Sequence, residues 1–241
     1  MEQTPAVVLL HGFTNSGASW RPVIEALGQR YRALAPDIRG HASASAARPV
    51  TLDAVIADVA ALTTGQFTLV GYSQGGRIAL HVALALPQRV SALVLIGASP
   101  GIADAAERAA RRQADERLAD RIERLTIEEL AHEWAQTPVL ADIPPQLAAL
   151  AHQDRLRSTP QGLAAALRGL GTGALPPTWE RLGDLAMPVR LLAGERDRKF
   201  TALAHEMAGR IPRAQVRIVA GAGHAVHLEC PDAVASVLLE D

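Results

Sequence analysis

Short apolar runs punctuate the chain at residues 6–10, 32–36, 68–70, 92–96, 189–193 and 216–219. They are rich in leucine and β-branched residues and do not alternate strictly, which predicts strands buried on both faces of a sheet. Between them, apolar positions recur at helical spacing near residues 20–28, 52–62, 75–86, 201–210 and 231–239. This alternation predicts an α/β fold with a mostly parallel central sheet and helices on both faces.

One region interrupts the alternation. Residues 101–179 contain no convincing strand pattern, and "IADAAERAARRQADERLADRIERL" is strongly helical in composition. The Gly/Pro-rich "GLGTGALPP" follows as a return loop. The expected organisation is therefore a core of residues 1–100 and 180–241 with a helical cap inserted at 101–179. Composition narrows the class further. At 49 % hydrophobic and 20 % charged residues, the chain reads as a globular domain. A net charge of −1 gives no footprint for nucleic acid. No apolar stretch approaches the roughly 20 residues of a membrane span, and "MEQTPAVVLLHG" lacks the features of a signal peptide. A cytoplasmic protein without membrane or nucleic-acid partners is expected. Cys230 is the single cysteine and cannot form an internal disulfide. Its place before Pro231 reads as packing.

The chemistry begins at "FTLVGYSQGGRIAL", residues 67–80. Gly71-Tyr72-Ser73-Gln74-Gly75 fits G-x-S-x-G, here after a predicted strand and before a predicted helix. That context suits a sharp turn that presents a serine hydroxyl at a helix N-terminus. A serine nucleophile needs a base, and the base needs an orienter. Asp197 in "GERDRKF" and His224 in "GAGHAVHLE" each follow a predicted strand, in the order serine, acid, histidine. Glu195 and His227 are the competitors. A strand-end "LLHGF" places the Phe13 amide where it could join the Gln74 amide as an oxyanion hole. No metal-ligand constellation and no phosphate loop occurs, so no cofactor is expected.

"LLHGF", "PDIRGH", "GYSQGG", "GERD" and "GAGH", in this order, resemble the α/β-hydrolase superfamily over nearly the whole length. Two departures show. "GHASAS" lacks the second glycine usual after the histidine, and the chain starts at the strand feeding the oxyanion loop, so the superfamily's first two antiparallel strands are expected to be absent or short. The superfamily does not fix the reaction. Arg77, four residues after Ser73, is the finer feature. A cation there opposes the helix dipole by roughly 0.3–1 kcal/mol and sits where burial is costly. Binding a substrate carboxylate is one reason for such a placement, and a packed stem with a surface ion pair is the other.

With Arg77 included, "GYSQGGRIAL" resembles one branch, the 2-succinyl-6-hydroxy-2,4-cyclohexadiene-1-carboxylate synthases of menaquinone biosynthesis. "LHGFTNSGASW", "EWAQTPVLA", "RLRSTPQGLAAALRGLGTG" and "AGHAVHLE" extend the likeness into the cap. The resemblance implies a carbon–oxygen lyase that eliminates pyruvate from a small polycarboxylate. Ser73, Asp197 and His224 would abstract the proton, and the Phe13 and Gln74 amides would hold an enolate. Arg77, Arg112, Trp134 and Arg157 would bind the substrate. A solvated helix face competes for Arg112 and Arg157, and cap packing competes for Trp134. The rival activity is a serine carboxylesterase working through an acyl-enzyme. A non-catalytic scaffold is the rival of another class, and the intact triad argues against it.

Overall fold

Six parallel strands form one sheet: β1 (Ala6–Leu10), β2 (Arg32–Leu34), β3 (Phe67–Tyr72), β4 (Val90–Ile96), β5 (Val189–Gly194) and β6 (Ala214–Val219), in the order β2-β1-β3-β4-β5-β6. The computed structural model describes residues 4–140 and 143–240. The described residues also hold four short 3₁₀ helices and ten α-helices: α1 (Arg21–Leu27), α2 (Leu52–Ala61), α3 (Gln74–Ala85), α4 (Ala105–Ile122), α5 (Ile127–Ala135), α6 (Pro145–Arg155), α7 (Pro160–Leu170), α8 (Arg198–Ala208), α9 (Val226–Glu229) and α10 (Pro231–Leu239).

Because successive side chains of a strand point to opposite faces, β1 supplies two cores. Ala6, Val8 and Leu10 belong to the cluster that includes residues of α2, α3 and α8, while Val7 and Leu9 belong to the one that includes residues of α1, α9 and α10. β1, β3 and β5 are buried along nearly their whole length. The expectation of two-sided burial fails at the margins. β2 is exposed to half-buried, and β6 is buried only at Val219, with Ile218 37 % exposed. Both are edge strands, and an edge has neighbours on one side only.

Between β4 and β5 the chain runs through α4 to α7, with no strand among the described residues. Ala119 and Ile122 of α4, Leu130 of α5, and Leu163, Ala164 and Leu167 of α7 form a third, smaller apolar cluster, against which Phe13 packs from the core. The helix starts are encoded locally. Asp104 and Thr159 accept the N–H groups of Glu107 and Gly162, and Thr126 and Glu129 form a reciprocal capping box.

Candidate active site

The turn from β3 to α3 sets the serine. Ser73 has φ 51° and ψ −112°, a left-handed conformation worth roughly 1–3 kcal/mol of strain for a non-glycine residue. It is held by its N–H donating to Ile96 O at 2.8 Å, while Ser73 O accepts from Arg77 N–H at 3.1 Å to start the helix. The tight passage explains Gly75: a Cβ there would lie 2.2 Å from Leu10 O and 2.4 Å from His11 O.

The other two groups come from loops after β5 and β6. His224 Nε2 stands 3.1 Å from Ser73 Oγ, and its Nδ1 stands 2.6 Å from Asp197 Oδ2. This arrangement suits a neutral imidazole that donates from Nδ1 to the carboxylate and accepts the serine proton at Nε2. The rings of Phe200 and Tyr72 flank the imidazole at 4.6 and 5.2 Å. Asp197 also caps α8. The competitors are engaged elsewhere. Glu195 accepts the Gly221 N–H at 2.9 Å. His227 is fully buried between Tyr72 and Trp20, and burial pushes its pKa down to about 3.

Two residues inside the quoted motifs, with no role assigned to them from sequence, hold the loops. Glu229 accepts the Gly223 N–H at 2.9 Å and the Arg196 Nη2 at 2.5 Å, linking the residues that precede His224 and Asp197. His11 is fully buried. Its Nε2 accepts the Ile38 N–H at 2.9 Å, so Nδ1 is left to donate to Gly12 O at 2.9 Å. That tautomer fixes the strand end from which Phe13 emerges.

A cleft of about 140 Å³ opens beside Ser73. Phe13, Gln74, Arg77 and Trp134 line it together with Arg111, Leu118, Leu167, Gly171 and Thr172. Gln74 is the first residue of α3, so its N–H has no partner within the helix. Trp134 meets Phe13 edge to face at 4.9 Å. Arg77 is half-buried, and its Nε has no partner among the described residues. Burial, with Arg111 second, pushes its pKa down to about 10, so it is a cation at neutral pH.

The structure does not bring Arg112 or Arg157 to this cleft. Each residue turns a helix by about 100°, and it is Arg111 that lines the cleft, while Arg112 is exposed outside it. Arg157 follows α6 and lines a separate groove with Asn15, Ala18 and Asp154, lying 3.7 Å from Asp154. The basic residue that α6 does bury is Arg155, 4 % exposed and close enough to Tyr72 to oppose the rise that burial gives the phenol pKa. The i+4 spacing of acids does not separate the two arginines in the sequence, since Arg111 has Asp115 and Arg112 has Glu116; the structure pairs Arg111 with Asp115.

No helix of the described residues is long and apolar enough to cross a membrane, and no group of three or more His, Cys, Asp or Glu among them could hold a metal ion. Residues 7–237 match the model of the alpha/beta hydrolase family. The chain is 36 % identical over 242 residues to 2-succinyl-6-hydroxy-2,4-cyclohexadiene-1-carboxylate synthase of Salmonella newport (strain SL254), covering 98 % of this chain and 93 % of that one. Among solved structures, MenH from S. aureus superposes with a TM-score of 0.93 at 30 % identity, covering 100 % of this chain and 94 % of its own. A thermophilic esterase from Thermogutta terrifontis, with malate bound, superposes with a TM-score of 0.84 at 27 % identity, covering 98 % and 88 %.

Proposed function

The chain belongs to the alpha/beta hydrolase family, and from that premise we propose that it is a lyase that eliminates pyruvate from 2-succinyl-5-enolpyruvyl-6-hydroxy-3-cyclohexene-1-carboxylate to give 2-succinyl-6-hydroxy-2,4-cyclohexadiene-1-carboxylate, a step of menaquinone biosynthesis. The observation that carries this reading is Arg77, a cation with an unpartnered buried Nε, sharing the Ser73 cleft with Arg111. Two guanidiniums beside one nucleophile suit a polycarboxylate and serve no purpose for a neutral ester.

The residues act in sequence. His224, oriented by Asp197, takes the Ser73 proton, and the serine oxygen removes the ring proton next to the succinyl carbonyl. The electron pair moves to the carbonyl oxygen, where the Phe13 and Gln74 amides hold the enolate. Collapse of the enolate through the ring alkene breaks the carbon–oxygen bond to enolpyruvate, which takes a proton and leaves as pyruvate. No acyl-enzyme is formed. Arg77 and Arg111 hold substrate carboxylates, and Trp134 with Phe13 forms the apolar wall. Residues 101–179 act as the cap that completes the cleft.

A serine carboxylesterase is the second reading, favoured by a triad geometry that equally suits acyl transfer and by the likeness to the Thermogutta terrifontis esterase. Pyruvate release from the enolpyruvyl substrate, followed by coupling to lactate dehydrogenase, separates the two. The lyase reading expects turnover that Ser73→Ala removes. Turnover of p-nitrophenyl acetate with no pyruvate release refutes it.

A further inference from the structure

α4 carries one carboxylate to the basic end of the cleft. Asp115 is 4 % exposed, and its two oxygens are divided between two tasks. Oδ1 accepts from Arg111 Nε at 2.6 Å, and Oδ2 accepts the N–H of Gly173 at 3.1 Å. Gly173 lies in the loop after α7, where the preceding Gly171 and Thr172 line the cleft. A single side chain thus joins a helix, a cleft arginine and a stretch of cleft wall.

The pair is unequal. The Arg111 side chain is 46 % exposed and that of Asp115 is 5 % exposed. The carboxylate is therefore the fixed end, and the arginine is held by it. A guanidinium is planar, so committing Nε to a fixed oxygen sets the plane and leaves the terminal Nη groups as the free edge for a ligand. Without that bond, an arginine this exposed would spread over many rotamers, and each binding event would have to order it. Asp115 also tempers the repulsion between the two cations, since Arg77 is opposed by Arg111 and supported by Asp115.

We propose that Asp115 is a positioning residue that fixes the Arg111 guanidinium as a carboxylate clamp in the cleft shared with Arg77 and Ser73, and so sets the preference for a polycarboxylate. This rests on the reading that the cleft takes a polycarboxylate. A purely structural role, fastening the Gly173 loop, is the alternative, and Asp115→Asn separates the two. The amide keeps an acceptor for the Gly173 N–H and loses the charge that holds Arg111.

The experiment is calorimetric titration of the full chain with tricarballylate for wild type, Asp115→Asn, Asp115→Glu, Arg77→Ala, Arg111→Ala and the Asp115→Asn/Arg111→Ala double variant. Asp115→Asn and Arg111→Ala should each weaken binding about tenfold, the scale of one charge-assisted bond. The double variant should bind no more weakly than Arg111→Ala, because the two residues act as a unit. Asp115→Glu, which keeps the charge, should recover part of the affinity lost in Asp115→Asn, as a role in holding the Arg111 guanidinium requires. Wild-type affinity in Asp115→Asn, additive losses in the double variant, or no recovery in Asp115→Glu would each overturn the proposal. Failure of the underlying reading looks different: Arg77→Ala and Arg111→Ala would then bind tricarballylate as wild type does, and the proposal would fall with it.

Discussion

Gly97, at the end of β4, leaves the space that the His224 imidazole occupies. A Cβ at Gly97 would lie 2.8 Å from His224 Cε1 and 2.9 Å from its Nδ1, and Gly97 has φ +54°. Gly97→Ala should therefore strain the backbone by roughly 1–2 kcal/mol and push the imidazole off the Ser73–Asp197 line. A displacement on the order of 1 Å costs about a hundredfold in turnover. Gly28, with φ +59° and nothing within 4 Å of its would-be Cβ, is the matched control. Gly28→Ala should carry the backbone strain alone, lowering the melting midpoint while leaving kcat intact. Equal activity in the two variants would mean that the imidazole has room to move.

Asp197 sits 2.6 Å from His224 Nδ1 and also caps α8 through the Phe200 N–H. Asp197→Asn keeps an acceptor for the cap, so the fold should survive. The amide nitrogen would, however, favour the tautomer with Nε2 protonated, which cannot accept the serine proton. Turnover should fall by about 10⁴-fold, the scale of that change in other serine triads, with substrate affinity near wild type. Single-turnover kinetics and a melting curve on the same sample test this. A loss under tenfold would leave Asp197 as a cap alone.

Arg77 distinguishes a polycarboxylate site from an ester site. Its guanidinium shares the cleft with Ser73, and its Nε has no partner among the described residues. A charged hydrogen bond contributes roughly 1.5–3 kcal/mol, so Arg77→Ala should lower kcat/KM for the enolpyruvyl substrate at least about tenfold. Arg77→Lys should restore part of this, because lysine keeps the charge and lacks the planar fork. A small neutral ester has no carboxylate to lose and should be affected much less. Equal losses on both substrates would make Arg77 a packing residue.

The parts of this site legible in the sequence are those encoded by neighbouring residues. Ser73 lies inside five consecutive residues that define its turn, and Asp197 and His224 each follow an apolar strand directly. Arg111 and Arg112 could not be separated that way. Choosing between adjacent residues requires the phase of the helix, and α4 has few apolar positions to set it. Its buried residues are Asp115, Ala119 and Ile122, so the strongest phase marker is an acid. Arg155 and Arg157 pose the same problem at the end of α6, where burial falls on the first and exposure on the second. The exposure of β6 was hidden for another reason. An edge position belongs to the order of the strands; the one local mark of it is the alternation of Gln215 and Arg217 with apolar residues, which the run 216–219 taken alone is too short to show.

The buried histidines make stability depend on pH with a definite sign. His41 and His227 are fully buried, and desolvation, followed by repulsion from His11 at His41 and from His224 at His227, pushes both down from 6.5 to about 3. In the unfolded chain each should titrate near its ordinary value of about 6.5. Between about pH 6.5 and 3 the unfolded state therefore holds protons that the native state refuses, so stability falls as the solution is acidified through that window and is fully present above it. Each histidine contributes a slope of at most about 1.4 kcal/mol per pH unit. Urea midpoints at several pH values from 8 to 4 should decline progressively below pH 6.5, on top of any carboxylate contribution shared by all variants. His227→Phe keeps an aromatic ring between Tyr72 and Trp20 and removes one titrating group. Neither ring nitrogen of His227 has a partner among the described residues, so the change should cost little at pH 8. The variant should then lose less stability than wild type on going to pH 4. Parallel curves for the two proteins would mean that His227 takes up its proton as readily in the native state as in the unfolded one, and that its burial does not hold it neutral.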